Sequence, residues 1–352
     1  MTTIAAVETR LIEIPLTRPW GPDVTEISVI EVVVTASDGE AGYGFSWTPT
    51  IGAHAVRALI AHDISDFAIG READPSIWRA AWEHLHEAGG GGITTIALAG
   101  LDLALWDLAA RRASSSVTDL IGRRHESLPA YGSGVNLHYS LEELVAQAER
   151  WVAAGFPAAK MKVGSPDIAR DVDRVAAVRE VLGPDRALMI DANQRWSLEK
   201  ATAAMARLAE FSPAWIEEPL RADDIAGHAE LRRIIDVPIA LGENRHTIHQ
   251  FRDAIDLGAV DVIQPNIIRV GGITPFREIA DLAAERGVDL APHLLPELSA
   301  QLSYTLPGRT WVEDVEDAGF GSLGALVEPT GLTITGGEAT GGPSLGLGIR
   351  FR

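Results

Sequence analysis

Cysteine is absent from this 352-residue chain, which excludes disulfides, thiolate nucleophiles and cysteine-based metal sites. Positive charge is scarce. Thirty Lys and Arg stand against 49 Asp and Glu, giving a formal net charge of -19 and a pI near 4.9. A surface of that sign repels phosphate backbones, so no nucleic-acid partner is expected. No uninterrupted apolar stretch approaches the ~18 residues of a membrane-spanning helix, so no membrane partner is expected. The opening residues MTTIAAVETRLIEIPL carry no basic segment followed by an apolar run, so no signal peptide is expected and the protein reads as soluble and cytoplasmic. What remains is a globular composition, 46% hydrophobic and free of low-complexity tracts, on a chain long enough for one large domain or two.

The first third differs in rhythm from the rest. VETRLIEIPL and ISVIEVVVTASDGEAGYGF read as strands joined through an Asp-Gly turn, and HAVRALIAHDISDFAI, PSIWRAAWEHLHEA and TTIALAGLDLALWDLAARRA read as helices. Strands followed by helices suggest a separate α+β unit over residues 1–127. From residue 128 short apolar strands alternate with helices. The first helix opens on a Ser140-x-x-Glu143 capping box, and the units continue through ALMIDAN, AWIEEPL, PIALGEN, DVIQPN and DLAPHLL. Such alternation predicts βα units on a parallel sheet over residues 128–325. The glycine-rich tail, 326–352, breaks the rhythm and is expected to pack back on the first unit.

AAKMKVG places Lys160 and Lys162 two apart in an otherwise apolar strand, hence on one face. Each later strand also ends in a residue able to do chemistry: Asp191, Glu217, Glu243, Asn266 and His293. The gaps from Lys162 onward are 29, 26, 26, 23 and 27 residues, about one βα unit each. A closed barrel gathers such strand ends around one centre. Asp191, Glu217 and Glu243 each end an apolar strand, where a carboxylate needs a partner. Each alone could pair with an arginine or cap the next helix. Three in succession, without cysteine or histidine among them, form a hard oxygen site suited to Mg2+.

KMKVG, MIDANQRW, WIEEPL, LGEN, QPNIIRVGGIT, PHLLPELSAQL and WVED, in this order, resemble the barrel of the enolase superfamily, and the mandelate racemase group in particular. TTIALAGLDLALWDLAARR resembles the group's capping-domain helix and VEPTGLTITGGEATGGPSLGLGI its C-terminal return, so the resemblance covers essentially the whole chain. It implies a modified TIM barrel, (β/α)7β, under an α+β capping domain, symmetric homo-oligomers from dimer to octamer, and abstraction of the proton α to the carboxylate of a small-molecule substrate. Asp191, Glu217 and Glu243 would be Mg2+ ligands, Lys162 a base and His293 the acid or base opposite. Free lysine titrates near ~10.4. The Lys160 ammonium and a divalent cation are both expected to lower Lys162 toward a working base, with Lys160 also pairing the substrate carboxylate.

Three positions depart from or refine that pattern. Where most of the group has an aspartate bonded to the histidine, this chain has Asn266, which orients the ring without supplying charge. That weakens a two-base racemase and favours dehydration of a hydroxy or sugar acid, with racemase, epimerase, cycloisomerase and a non-catalytic metal-binding barrel as alternatives. Glu313 matches the carboxyl that bonds the substrate carboxylate and is expected to be protonated, unless it is one of a run of surface acids. Phe45, at a turn where glutamate is common, suggests a less polar distal pocket and argues against a diacid. Asn193, by parity with Asp191, is expected to hold a substrate or ligand oxygen. Arg195 and Trp196 could line the pocket, and Trp20 and Trp47 sit on turns that match the loops closing such barrels. His246 and His249 read as a solvated helical face, and the GGGG at 89–92 as a flexible connector.

Overall fold

The computed structural model describes residues 2–21 and 23–352. Strands β1 (Ile4–Pro15), β2 (Glu26–Ala36) and β3 (Ala41–Thr48) form an antiparallel meander. The β-branched run of β2 alternates, so Ile30, Val32 and Val34 share a core with Leu98, Leu101 and Leu105 of the helix Ile93–Arg112. Gly44 permits this approach. A Cβ there would lie 2.4 Å from Ala104 N and from Gly100 O. The helix is long and apolar enough to cross a membrane by length and composition alone. Here it lies mostly buried inside the protein, and its apolarity serves packing on both sides.

Eight parallel strands build the barrel: β4 (Ser127–Ser133), β5 (Ala158–Lys162), β6 (Ala187–Asp191), β7 (Trp215–Glu217), β8 (Ile239–Leu241), β9 (Val262–Ile263), β10 (Asp289–Leu290) and β11 (Val312–Val315). They pair in sequence order from β4 to β10, and β11 pairs with the free side of β4. The seam between β10 and β11 is bridged by side chains: Thr310 Oγ1 donates to Leu290 O, and Leu294 N donates to Glu313 at 2.9 Å. The fold is thus a (β/α)7β modified TIM barrel with an α+β cap. Several strands are shorter than their apolar runs, β9 and β10 spanning two residues each.

The helix Leu141–Ala153 begins on the capping box of Ser140 and Glu143. The tail forms a hairpin, β12 (Leu332–Thr335) and β13 (Glu338–Gly341), and β13 adds antiparallel to β4. Beyond it, Leu347 N donates to Asp107 of the cap helix at 2.7 Å, and Phe351 packs edge-on against Phe45 and Phe320 at 5.3 and 5.0 Å. Phe45 is therefore a fully buried anchor between cap and tail. The expectation that it shapes a distal pocket is corrected, and with it the argument against a diacid.

Candidate active site

Strand β5 explains why two lysines face a protein interior. Its residues are all buried. Ala159 and Met161 join the core under the helices, whereas Ala158, Lys160 and Lys162 alternate to the barrel interior. Sheet register then sets the partners, because Lys162 pairs with Asp191 across β6, and Asp191 with Glu217 across β7. Lys160 Nζ lies 2.8 and 2.9 Å from the Glu217 oxygens, 2.8 Å from Glu313 Oε1 and 3.9 Å from Asp191 Oδ2. The Lys162 ammonium donates to Asp191 Oδ2, and Asn136 Oδ1 accepts from Lys162 N at 2.9 Å.

Burial alone would lower both lysines, but the carboxylates outweigh it. Glu217 and Glu313 hold Lys160 well above the ordinary lysine value, and Asp191 raises Lys162. Lys160 acts on Lys162 in the expected downward direction. Without a metal ion the net direction is upward, and its cause is the direct contact with Asp191.

The carboxylates are individually supported. Asp191 accepts from Asn193 N at 2.8 Å and Asn193 Nδ2 at 3.3 Å, so Asn193 orients this carboxylate. Glu217 Oε2 accepts from Gln264 Nε2 at 2.8 Å and from Trp215 Nε1 at 3.3 Å. Burial, opposed by Lys160 and reinforced by neighbouring carboxylates, pushes Glu217 up to about 7. Glu243 Oε1 accepts from Asn244 Nδ2 at 3.0 Å. Its Oε2 lies 2.8 Å from His293 Nε2, an ion-pair distance without hydrogen-bond alignment. Burial would raise Glu243, yet His293 and Lys162 hold it well below the usual carboxylate range. Among the described residues, Glu217, Glu243 and His293 form a set of metal-type donors whose ligand atoms lie within 4.8 Å of one another. Asp191 adjoins that set through its register with Glu217.

The histidine side is built on loops. His293 Nδ1 faces Asn266 Nδ2 at 3.2 Å. Burial would lower the imidazole, but Glu243 raises it above the ordinary value. Glu313 is buried and does not belong to a surface run of acids. Burial pushes its carboxyl up, but Lys160 brings it down to about 2. It is therefore ionised, correcting the expectation of a protonated donor. The cap braces this side from behind. Asp102 accepts from Thr274 N at 3.0 Å and Thr274 Oγ1 at 2.5 Å, and Trp78 Nε1 donates to Gly271 O at 2.8 Å. Gly272, at φ +111°, admits the Asp102 carboxylate, since a Cβ there would lie 2.3 Å from Oδ2.

Left-handed backbone concentrates here. Asn193 and Gln194 follow Asp191, Glu218 follows Glu217, and Leu294 and Leu295 follow His293, all at positive φ. Non-glycine residues in this region carry strain that persists where surrounding contacts fix it, and such positions cluster at functional sites.

Arg195 is exposed. Trp196 is buried with its indole N–H unpartnered, as is Trp47, which lies in the core shared by cap and barrel. Half-buried Trp20 packs on that core, and Pro22 of the same turn lies outside the described residues. His246 is not solvated: its Nδ1 lies 3.0 Å from Arg269 O, and it packs against the glycine loop at Gly91. Gln264, Trp215, Asn244, Asn136 and Glu218 had no place in the sequence reading. Parity could have found Gln264, two before Asn266, and Trp215, two before Glu217. Two surface clefts, of about 440 Å³ beside Arg111 and Arg350 and about 490 Å³ beside Gln194 and Asn244, are lined by none of the lysines, the three carboxylates or His293.

A parallel barrel that gathers two lysines, carboxylates and a histidine at its strand ends has the layout of a barrel enzyme's active site. Residues 2–122 match the model of the mandelate racemase/muconate lactonizing enzyme N-terminal domain, and residues 143–352 the enolase C-terminal domain-like model. The chain is 36% identical to the 3,6-anhydro-alpha-L-galactonate cycloisomerase of Streptomyces coelicolor, over 99% of this chain and 97% of that protein. It is 37% identical to the L-talarate/galactarate dehydratase of Salmonella typhimurium, over 83% and 74% respectively. Among solved structures, a Streptomyces coelicolor racemase with bound magnesium superposes with a TM-score of 0.92 at 35% identity, covering 99% of this chain and 97% of that one. The L-talarate dehydratase of Polaromonas sp. JS666, complexed with Mg and L-glucarate, gives 0.88 at 35% identity, covering 100% and 96%. The chain belongs to the mandelate racemase/muconate lactonizing enzyme family of the enolase superfamily.

Proposed function

We propose that the protein abstracts the proton α to the carboxylate of an acid sugar and expels the β-oxygen as water, yielding a 2-keto-3-deoxy acid. The observation that carries this reading is the arrangement of Lys162 on β5 and His293 after β10 at opposite ends of the series Asp191, Glu217 and Glu243. The three carboxylates are an all-oxygen donor set, and Glu243 Oε2 has no aligned hydrogen bond. That chemistry fits Mg2+, held by Asp191, Glu217 and Glu243. When bound, Mg2+ supplies Lewis acidity that stabilises negative charge on substrate carboxylate oxygens.

Lys162 Nζ, in its neutral form, takes the α-proton, and the electron pair of the C–H bond passes into the enediolate. Lys160 opposes the upward pull of Asp191 on Lys162 and offers its own charge to the substrate carboxylate. His293 directs its Nε2–H at the departing oxygen, which takes up one proton, matching the one given to Lys162, and leaves with the C–O electron pair as water. Asn193 and Gln264 hold Asp191 and Glu217 in place. Glu313, ionised and paired to Lys160, positions that ammonium.

A second reading, cycloisomerisation, is favoured by the full-length similarity to a cycloisomerase. It shares the first step and differs only in that the expelled oxygen stays tethered as part of an opened ring. Turnover of mono- and diacid sugars with Mg2+ in deuterated water, beside a Lys162→Ala control, separates the readings. A keto acid formed with loss of water, and only with Lys162 intact, supports the dehydratase. A product of unchanged elemental composition, apart from solvent deuterium, with a new carbonyl supports the cycloisomerase. Deuterium gain into an unaltered skeleton points to a racemase or epimerase, and no reaction with any acid sugar overturns the reading.

A further inference from the structure

The polarity of the Asn266–His293 contact has a consequence for which face of a substrate can lose a proton. Asn266 caps the short helix Ile267–Val270, its Oδ1 accepting from Ile268 N and Arg269 N, each at 3.1 Å. Turning the amide over would set its NH2 against two backbone donors. The oxygen is thereby fixed by the main chain, and the group 3.2 Å from His293 Nδ1 is the amide nitrogen, a donor with no lone pair to offer. An imidazole nitrogen that accepts a hydrogen bond carries no proton, so the proton of the neutral ring sits on Nε2.

We infer that Asn266 is a positioning residue that fixes His293 as its Nε2–H tautomer, so that the ring meets substrate as a hydrogen-bond donor and Lys162 is the site's only base for a carbon-bound proton. An aspartate at 266 would reverse this, accepting from Nδ1–H and freeing the Nε2 lone pair. The C–H bond of a substrate therefore breaks only on the Lys162 side, the proton passing to Nζ and the electron pair into the enediolate. The choice of substrate rests on the reading proposed above, whereas the tautomer does not.

The test uses protein labelled with 15N at histidine, with the His293 resonances assigned by their loss in His293→Gln. The expected wild-type spectrum has an unprotonated Nδ1 and a protonated Nε2. Asn266→Asp, which retains a good helix cap, is expected to place a proton on Nδ1. In deuterated water the wild type should exchange the α-proton only of the acid-sugar epimer that presents it to Lys162. Asn266→Asp should gain exchange of the opposite epimer, by about 10²-fold or more over the wild type. A wild-type Nδ1–H tautomer, exchange of both epimers by the wild type, or an Asn266→Asp spectrum identical to wild type would each overturn the inference. Should no acid sugar react, the functional reading fails while the spectra still decide the tautomer.

Discussion

Lys160 and Lys162 stand on a strand buried along its whole length and hydrogen-bonded to neighbours on both sides. Asn266 and His293 stand three residues beyond the ends of two-residue strands, on loops. The lysine side inherits its geometry from sheet register, which a single substitution rarely shifts, because a slip would turn every side chain to the other face. The histidine side is held instead by individual contacts: the Asn266 cap, left-handed Leu294 and Leu295, Glu313 on Leu294 N, and the cap residues Asp102 and Trp78 behind it. Its chemistry is set by few residues, and one of them, Asn266, differs from the aspartate that most of the mandelate racemase group is expected to carry. On the proposed function, proton abstraction is anchored in the robust half of the site, while the fate of the intermediate is decided in the adjustable half.

The largest expected effect tests the lysine side directly. Lys162→Ala should lower turnover by about 10³-fold or more and abolish α-proton exchange with solvent deuterium, with an unchanged circular dichroism spectrum. Exchange that survives would show that the two sides share the abstraction. Lys160→Met addresses stability. It leaves Glu217 and Glu313 buried without their shared cation, and should cost about 3–5 kcal/mol in urea unfolding. A loss below ~1 kcal/mol would mean that register, not charge pairing, holds these side chains.

His293→Gln should have a smaller effect than Lys162→Ala, lowering product formation by about 10²-fold while α-proton exchange on the Lys162 side continues. Loss of both together would erase the proposed division of labour. The smallest effect probes the brace behind the histidine side. Burial, only partly offset by the Thr274 hydrogen bonds, pushes Asp102 up to about 7 from an ordinary 3.8. Between those values the folded protein binds a proton that the unfolded chain releases, so this group's contribution to stability falls as pH rises from about 4 to about 7 and is flat above. Asp102→Asn removes that dependence. Urea midpoints at pH 5 and pH 8 should differ less in the variant than in the wild type. An equal difference in both would place the titration elsewhere.

Much of this was legible in order along the chain, because the signals are local. Alternation of apolar strands with helices predicts the barrel, Ser140 and Glu143 mark a helix start three residues apart, and the Lys160–Lys162 spacing puts both on one face. Strand-end positions at a spacing of one βα unit point to Asp191, Glu217, Glu243, Asn266 and His293. What these rules carry is residue type, periodicity and the direction of a side chain relative to its own backbone.

Charge state, burial and partner were decided only by the fold. Glu313 is ionised because β11 closes the barrel beside β4 and brings Lys160, 153 residues earlier in the chain, to 2.8 Å. Phe45 is an anchor because the C-terminal tail returns to it, and Lys162 is raised because Asp191 lies opposite it in register. The donor facing His293 depends on which end of an amide the main chain of Ile268 and Arg269 has claimed. Each of these depends on distances of a few ångströms between segments far apart in sequence. Electrostatics and hydrogen bonding act through space at that range, so no periodicity along the chain encodes them.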